Sequence, residues 1–545
     1  MPPRSLGHRA PLLWLLVPFA AGLVAARATG GSAIVLPLGI AVGAGILALT
    51  AGPARPARWA ASVVLTLFLA GFASRTLHHP RLSAWDTLPP REARLELAVE
   101  RLFATTDPGR TAGLARITGT DPHLRELRGQ RTYFSLALAD AAAPPLRGAV
   151  IATIGVLGTV PADAKLATFD GFLAGAGVGF RLTRGRVIAE RQPAPPLQRT
   201  YARLAAAFTR TLGAGIEEKR PALAGLLRAM MLGATRELSE EQHTLFMQSG
   251  TMHLFAISGL NIGVIAGALQ ALLLLLRLPA WPRFLCGVAL LWVFVETTGG
   301  SASAVRAFAM AVFVQAAFVL RQPGNVLAAL VLSAFVVLLA APGQLFSASF
   351  LMSYGIVAAL LTLGLPLADA AQERWSPARD LPRAAWRWHH RMADSAWRVA
   401  APALAIGLAT MPVSLVTGIQ YFELLTPGAL ATNLVLIPAA VVVTLGGFAS
   451  LLCGGLGFEA GVLVCNHAAA LVLLGIEHFV RWSVTWPGAF VPARFTAEWI
   501  GPATLTALLA ALLGGYAAGW RRRAGGRWPP FAIVAVALLC GVEYL

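Results

Sequence analysis

Residues 252–276 read MHLFAISGLNIGVIAGALQALLLLL, a stretch with no Asp, Glu, Lys or Arg. A helix needs about 20 predominantly apolar residues to cross a bilayer, so this run alone places the chain in a membrane. Similar runs follow it at Phe284–Thr297, Ser303–Leu320, Asn325–Ala341, Leu345–Leu365, Val399–Gly418, Thr426–Leu452, Gly461–Val480, Ile500–Trp520 and Pro529–Leu545. Three more precede it, at Leu12–Ala26, Ala33–Thr50 and Ala60–Thr76. The expected fold is a polytopic α-helical membrane protein of about 13 spans. Composition agrees: 57% of the 545 residues are hydrophobic, 13% are charged and the mean hydropathy is +0.66, against about 25% charged residues in an ordinary soluble domain. Cys286, Cys453, Cys465 and Cys540 all fall in apolar segments, so neither a disulfide framework nor a cysteine metal site is implied.

Between the two apolar blocks the periodicity changes. Arg94–Val99, Gly113–Thr118, Thr132–Ala139, Ala149–Gly155 and Gly179–Ala189 alternate with period two and are bounded by Gly, Pro and Asp, the pattern of short half-buried strands. An inserted small all-β domain, OB-like, is expected over residues 88–190. Residues 198–248 carry a helical stripe instead: Tyr201, Leu204, Phe208 and Leu212, then Leu223, Leu226, Leu227 and Met230, with Arg203, Arg210, Arg220 and Arg228 between them. These read as interfacial amphipathic helices, or as helices packed on the β domain. The division is therefore 1–80 for the first spans, 88–190 for the barrel, 198–248 for the amphipathic helices, 249–520 for the main membrane domain, and 521–545 for a basic loop and final apolar segment.

The formal net charge of +18 fits nucleic acid, anionic lipid or the arginine bias of cytoplasmic loops. A cytoplasmic N-terminus leaves Arg55 and Arg58 inside and delivers the β domain outside after three spans. Five further spans bring Arg374, Arg379, Arg383, Arg387, Arg391 and Arg398 inside, and four more do the same for Arg521, Arg522, Arg523 and Arg527. Every dense arginine cluster then falls on one side, as the positive-inside rule requires.

Polar residues within apolar runs are costly unless paired or facing a wet cavity. The densest group is His253, Ser258, Gly259, Asn261 and Gly263. Its glycines either break the helix beside a cavity or let helices pack closely. Glu296 and Arg306 flank a hairpin, and the pattern fits equally a pair that leaves the guanidinium free to meet a phosphate and two anchors that snorkel separately to the interface. Ser353 and Tyr354 in SASFLMSYG, and Asn433 with Pro438 in ATNLVLIP, complete the set.

In order and spacing, TMHLFAISGLNIGVIAGAL, SASAVRAFAMAVFVQ, FSASFLMSYGIVAALLTLGLP and ATMPVSLVTGIQYFELLTPGALATNLVLIP resemble the competence domain of ComEC-type proteins. Upstream, FDGFLAGAGVGFRLTRGRVI resembles the end of that family's extracytoplasmic OB-like domain. The resemblance implies an inner-membrane channel that passes one strand of incoming DNA to the cytoplasm in natural transformation, and makes residues 249–520 the competence transmembrane domain. It carries over onto His253, Ser258, Gly259, Leu260, Gly263, Arg306, Ser353, Asn433 and Pro438. An OB barrel binds single strands through a basic groove and stacking surfaces, for which Arg116, Arg125, Arg128, Arg131, Tyr133 and Phe134 are the candidates.

Two departures stand out. Asn261 occupies the place of a usual histidine, and Ser353-Tyr354-Gly355 replaces a more usual Leu-Ser-Phe. Longer members also end in a metallo-β-lactamase-like domain, whereas the sequence here ends in an apolar segment and its ten histidines form no H-x-H-x-D-H pattern. No enzyme activity, cofactor or metal is therefore expected. The expected partners are single-stranded DNA, membrane lipids, an outer DNA receptor, a separate nuclease, a single-strand-binding protein, and a cytoplasmic helicase or ATPase, since no G-x-x-x-x-G-K-[ST] loop is present. The competing reading is a small-molecule transporter or lipid-handling membrane enzyme using Glu296, Glu423 or Glu477.

Overall fold

The computed structural model describes residues 10–29, 35–51, 55–78, 82, 85–103, 105, 107, 109–138, 143–161, 164–165, 167–255, 257–322, 325–377, 380–382, 385–520 and 526–544. Of the residues cited above, Ala33, Ala139, Ala256, Arg379, Arg383, Arg521, Arg522, Arg523 and Leu545 lie outside them. Three apolar helices open the chain, α1 (Leu13–Ala28), α2 (Val35–Ala51) and α3 (Pro56–His78). Glycines bring α1 and α3 into backbone contact: a Cβ at Gly22 would stand 1.9 Å from the Phe68 carbonyl oxygen, and one at Gly71 would stand 2.1 Å from that of Phe19. Close approach of this kind replaces the missing hydrophobic drive between helices in lipid. Gly71→Val is therefore expected to destabilise the protein by about 1–3 kcal/mol through overpacking, read as a lower midpoint of thermal unfolding in detergent.

The five alternating segments are five strands, β1 (Arg91–Phe103), β2 (Arg110–Thr120), β3 (Arg131–Ala137), β4 (Val150–Thr159) and β5 (Phe180–Gln192). They close into a barrel in the order β1-β2-β3-β5-β4, with β3 and β5 parallel and the other pairs antiparallel, the small OB-like domain expected from the sequence. Because side chains alternate across a strand, Leu95, Leu97, Ile117, Phe134, Leu136 and Ile151 fill the interior. Trp85 plugs one end, edge-on to Phe180, with its indole N–H on Glu126. A short helix, α4 (Phe169–Gly175), connects β4 to β5 and is capped by the Thr168 hydroxyl.

The rest is helical: α5 (Pro196–Gly213), α6 (Pro221–Leu232), α7 (Glu240–Gln248), α8 (Gly259–Leu275), α9 (Ala280–Thr297), α10 (Ala302–Val319), α11 (Val326–Ala340), α12 (Ala348–Trp375, with one widened turn at Leu360–Gly364), α13 (Trp388–Phe422), α14 (Ala429–Gly455), α15 (Glu459–Val484), α16 (Ile500–Ala517) and α17 (Pro529–Cys540). Among the described residues, nine helices have the length and hydropathy to cross a membrane. The runs read as spans at α1, α2, α11 and α17 are apolar helices of 10–17 residues, shorter than the roughly 20 that an untilted crossing takes.

Residues 198–248 divide. α5 keeps a polar face, with Arg203 and Arg210 exposed opposite buried Tyr201 and Leu212. α6 departs from the one-sided helix expected there: Leu223 to Met231 are all buried, at the centre of a core shared with α8, α9, α14 and α15. Arg228 is tolerated in it because Glu217 and Glu237 both bind its guanidinium.

Three short segments far apart in sequence form one small sheet, β6 (Leu424–Leu425), β7 (Val491–Phe495) and β8 (Val542–Tyr544). The ends of α13, α15 and α17 therefore share one side of the bundle, as the counted alternation of spans requires. The barrel stands at that same end, where α4 and the Tyr421 hydroxyl both reach the 342–346 turn.

Candidate functional site

The Met252–Gly263 motif starts a helix; it does not break one. Ser258 is the N-cap of α8, its Oγ accepting the Asn261 backbone N–H at 3.2 Å. The freed backbone group is thereby satisfied locally. Asn261 is 3% exposed. Its Nδ2 donates to the Met230 carbonyl at 3.1 Å and its Oδ1 is buried without a protein partner. The amide thus pins α8 to buried α6. His253 lies on the turn before α8, exposed, with Nδ1 donating to the Gly250 carbonyl at 3.1 Å.

Gly259, Gly263 and Gly267 recur at i, i+4 and i+8, so they form one stripe on α8. That stripe is one wall of an open cavity of about 690 Å³ bounded by α8, α9, α10 and α12. Ala307, Met310 and Ala311 of α10 and Ser353 and Val357 of α12 stand opposite. A Cβ at Gly263 or Gly267 would meet nothing within 4 Å. Those two glycines are therefore not needed for helix contact, and their effect is to keep the groove wide. Deeper in, Gln270 continues the stripe and donates to Gln315 Oε1 at 3.0 Å, with Arg283 beyond them in the lining. These three were missed in the sequence; a glutamine in register with the glycine stripe was the available signal.

Arg306, at the start of the second turn of α10, is 1% exposed. Its Nη2 donates to both the carbonyl and the hydroxyl of Ser349 at 2.7 Å, while Nε and Nη1 are buried without a protein partner. Its guanidinium carbon lies 5.9 Å from the Tyr354 ring centroid. Of the two readings of Glu296 and Arg306, the pair does not form. Glu296 instead binds Arg147, from the loop before β4, at 3.0 Å, because the barrel docks on the end of α9 and supplies the nearer cation. The carboxylate side chain is only 6% exposed. Reversing it (Glu296→Arg) is expected to loosen the barrel and lower stability by about 1–3 kcal/mol, and Arg147→Glu in the same chain to restore much of that, as a double-mutant cycle would read.

Asn433 and Pro438 sit in α14, away from the groove lining. Asn433 Oδ1 is buried without a protein partner, and Pro438 interrupts the helix hydrogen bonds. Of the sequence candidates, Gly259, Gly263 and Ser353 line one groove, and Arg306 adjoins it through Ala307 and Ser349; His253, Asn261, Glu296, Asn433 and Pro438 do not line it.

On the barrel, Arg116 and Arg131 both bind Glu100, at 3.1 and 2.9 Å. Arg125 and Arg128 are exposed beside the 122–127 turn. Phe134, at 0% exposure, is core and offers no stacking face, a correction that follows from strand alternation. Tyr133 points the other way, with its ring 5.0 Å from Phe169 and 6.1 Å from Phe103. Phe169 and Phe172, 52% and 41% exposed, extend that cluster along α4. Arg101 lies over Phe103, and burial, with Arg147 nearby, holds its guanidinium below the ordinary range.

The family model described as Competence protein matches residues 230–521, more than half of the chain. The chain belongs to the Competence protein family. The match takes in α8 to α16, hence every wall of the groove. A curated relative, "ComE operon protein 3" of Bacillus subtilis (strain 168), is 28% identical over 141 residues, which is 26% of this chain and 18% of that protein. The competence-family assignment agrees with the four motifs read from the sequence. No solved structure matches the chain.

Proposed function

We propose that this chain is the inner-membrane channel that passes single-stranded DNA into the cytoplasm during natural transformation, along the groove between α8, α9, α10 and α12. The observation that carries the reading is that Gly263 and Gly267 of the stripe face open space, where packing asks for no glycine. Arg306 supports it: a guanidinium behind the groove wall, with two donors lacking a protein partner, suits a passing phosphate once a shift of the Ser349 turn uncovers it. The Gln270–Gln315 bridge crosses the groove, so passage requires that hydrogen bond to open. Membership of a competence family and the basic, aromatic barrel favour a polyanionic strand over other cargo.

In this reading the N-terminus is cytoplasmic and the barrel extracytoplasmic, from the arginine asymmetry. An outer receptor supplies DNA, and a separate nuclease removes the other strand. A cytoplasmic helicase or ATPase pulls, and single-strand-binding proteins receive the product. The polypeptide itself performs no catalysis.

One observation favours the transporter or lipid-handling alternative: the groove is walled mostly by apolar side chains. Against its enzymatic form, Glu296 and Glu477 are engaged by Arg147 and Arg481, Glu423 terminates α13 with φ 51°, and none of the three lines the groove.

Deleting the gene in a competent host and measuring both surface DNA binding and transformation tests the proposal. Lost transformation with binding retained, rescued by the wild-type gene, is expected. Undiminished transformation in the deletion strain overturns it.

A further inference from the structure

A second arginine cluster lies where the barrel meets the bundle. Arg27, in the last turn of α1, and Arg75, in the last turn of α3, place their guanidinium carbons 4.6 and 4.7 Å from the centroid of one ring, Phe346. Arg75 Nη1 is buried and has no protein partner. Among the described residues no carboxylate forms an ion pair with either arginine. Exposed Glu498 acts on Arg27 only through space.

Cations at helix C-termini are ordinary, and so is an arginine resting on an aromatic face. Neither effect explains why two helices deliver like charges to the same ring, since each arginine would satisfy both effects alone and their proximity is repulsive. A shared anion removes that repulsion. We propose that Arg27, Arg75 and Phe346 form a phosphodiester-binding site at the mouth of the groove, taking the backbone of the incoming strand.

The surroundings give the site a direction. On the barrel side, Gly175 of α4 approaches the Phe346 carbonyl, its built Cβ at 3.9 Å, so the exposed rings of Phe169 and Phe172 belong to an adjoining helix. Interleaved aromatics and arginines are what a single strand requires, rings for its bases and cations for its phosphates. On the bundle side, Ser349 holds Arg306, and Ser353 lines the groove. Phe346 ends the turn that leads into α12, and Ser349 and Ser353, four apart, share one face of its start. The strand would pass from stacked bases, over Arg27 and Arg75, past Arg306 and into the glycine-lined groove.

This inference rests on the DNA-channel reading, so the experiment separates the two. The full chain, reconstituted in phosphatidylcholine nanodiscs and again in discs containing phosphatidylglycerol, is titrated with a fluorescent oligothymidylate across a salt series, beside a neutral methylphosphonate oligomer. In phosphatidylcholine, Arg27→Gln/Arg75→Gln is expected to weaken oligothymidylate binding about tenfold and to reduce the salt slope by about 1.4, two phosphate contacts at about 0.7 each. Arg27→Lys/Arg75→Lys, which keeps the charges, is expected to retain most of the slope and so to exclude misfolding. A double glutamine variant identical to wild type in affinity and slope overturns the site and leaves the channel reading standing. A double variant that changes only phosphatidylglycerol retention, read by native mass spectrometry, also overturns it, since the anion is then a lipid headgroup. Wild-type protein that binds the charged and neutral oligomers equally counts against the DNA reading itself.

Discussion

Gly263→Trp is expected to lower transformation by at least about 100-fold, by filling a path whose passage depends on its width, while the protein accumulates and unfolds as wild type does. The reasoning starts from empty space: a Cβ at this position touches nothing within 4 Å, and the glycine has an ordinary negative φ. A large side chain therefore enters the groove without pushing a helix aside. Gly263→Ala is the control. It adds one methyl to a cavity of about 690 Å³ and replaces a poor helix former with the best one, a gain of up to about 1 kcal/mol. Near-normal transformation for alanine, with loss for tryptophan and equal abundance of both in membranes, would place the path in this groove. Full transformation by the tryptophan variant would exclude it.

Arg306→Met should separate transport from stability. If the guanidinium were structural, removing it would unfold the site. Burying an incompletely paired charge is costly, however: even a buried ion pair is often replaced by apolar side chains of similar volume neutrally or with a gain of about 1–4 kcal/mol, and a cation without a carboxylate has less to lose. Arg306 fits that case, since one nitrogen is satisfied by Ser349 while Nε and Nη1 have no protein partner. Transformation is expected to fall about as far as with Gly263→Trp, while the unfolding midpoint stays level or rises. Arg306→Lys keeps a charge but loses the planar fork and should recover only part of the activity. A lowered midpoint for the methionine variant, with transformation falling only in proportion to abundance, would assign Arg306 to the fold.

The membrane class and the barrel could be read from the sequence because both rest on local periodicity. The five alternating segments became the five strands, and each apolar run became a helix. What failed to show was whatever depended on distant neighbours. Sequence proximity offers Glu296 only Arg306, ten positions on, as a partner, because Arg147 is 149 residues away and reaches it only by domain docking. The stripe of α6 looked one-sided because Arg228 was counted as exposed, and only the fold brings Glu217 and Glu237 around it. Tyr133 and Phe134 were nominated together although adjacent strand residues point to opposite faces. The glycines of α8 were ambiguous for a different reason: close packing and open space select the same residue, and only the neighbouring helices tell Gly263 from Gly71.

The Arg147–Glu296 contact bears on how this protein can be taken apart. Excising residues 88–190 to study the helices alone removes the cation that balances a carboxylate only 6% exposed with the barrel in place, and losing that partner costs up to about 3–5 kcal/mol where water does not reach the stranded charge. A barrel-less chain would thus be weakened at the end of α9, and lost uptake in it would not by itself speak of DNA binding by the barrel. Glu296→Gln in the truncated chain removes the stranded charge, so any defect that survives it belongs to the missing domain.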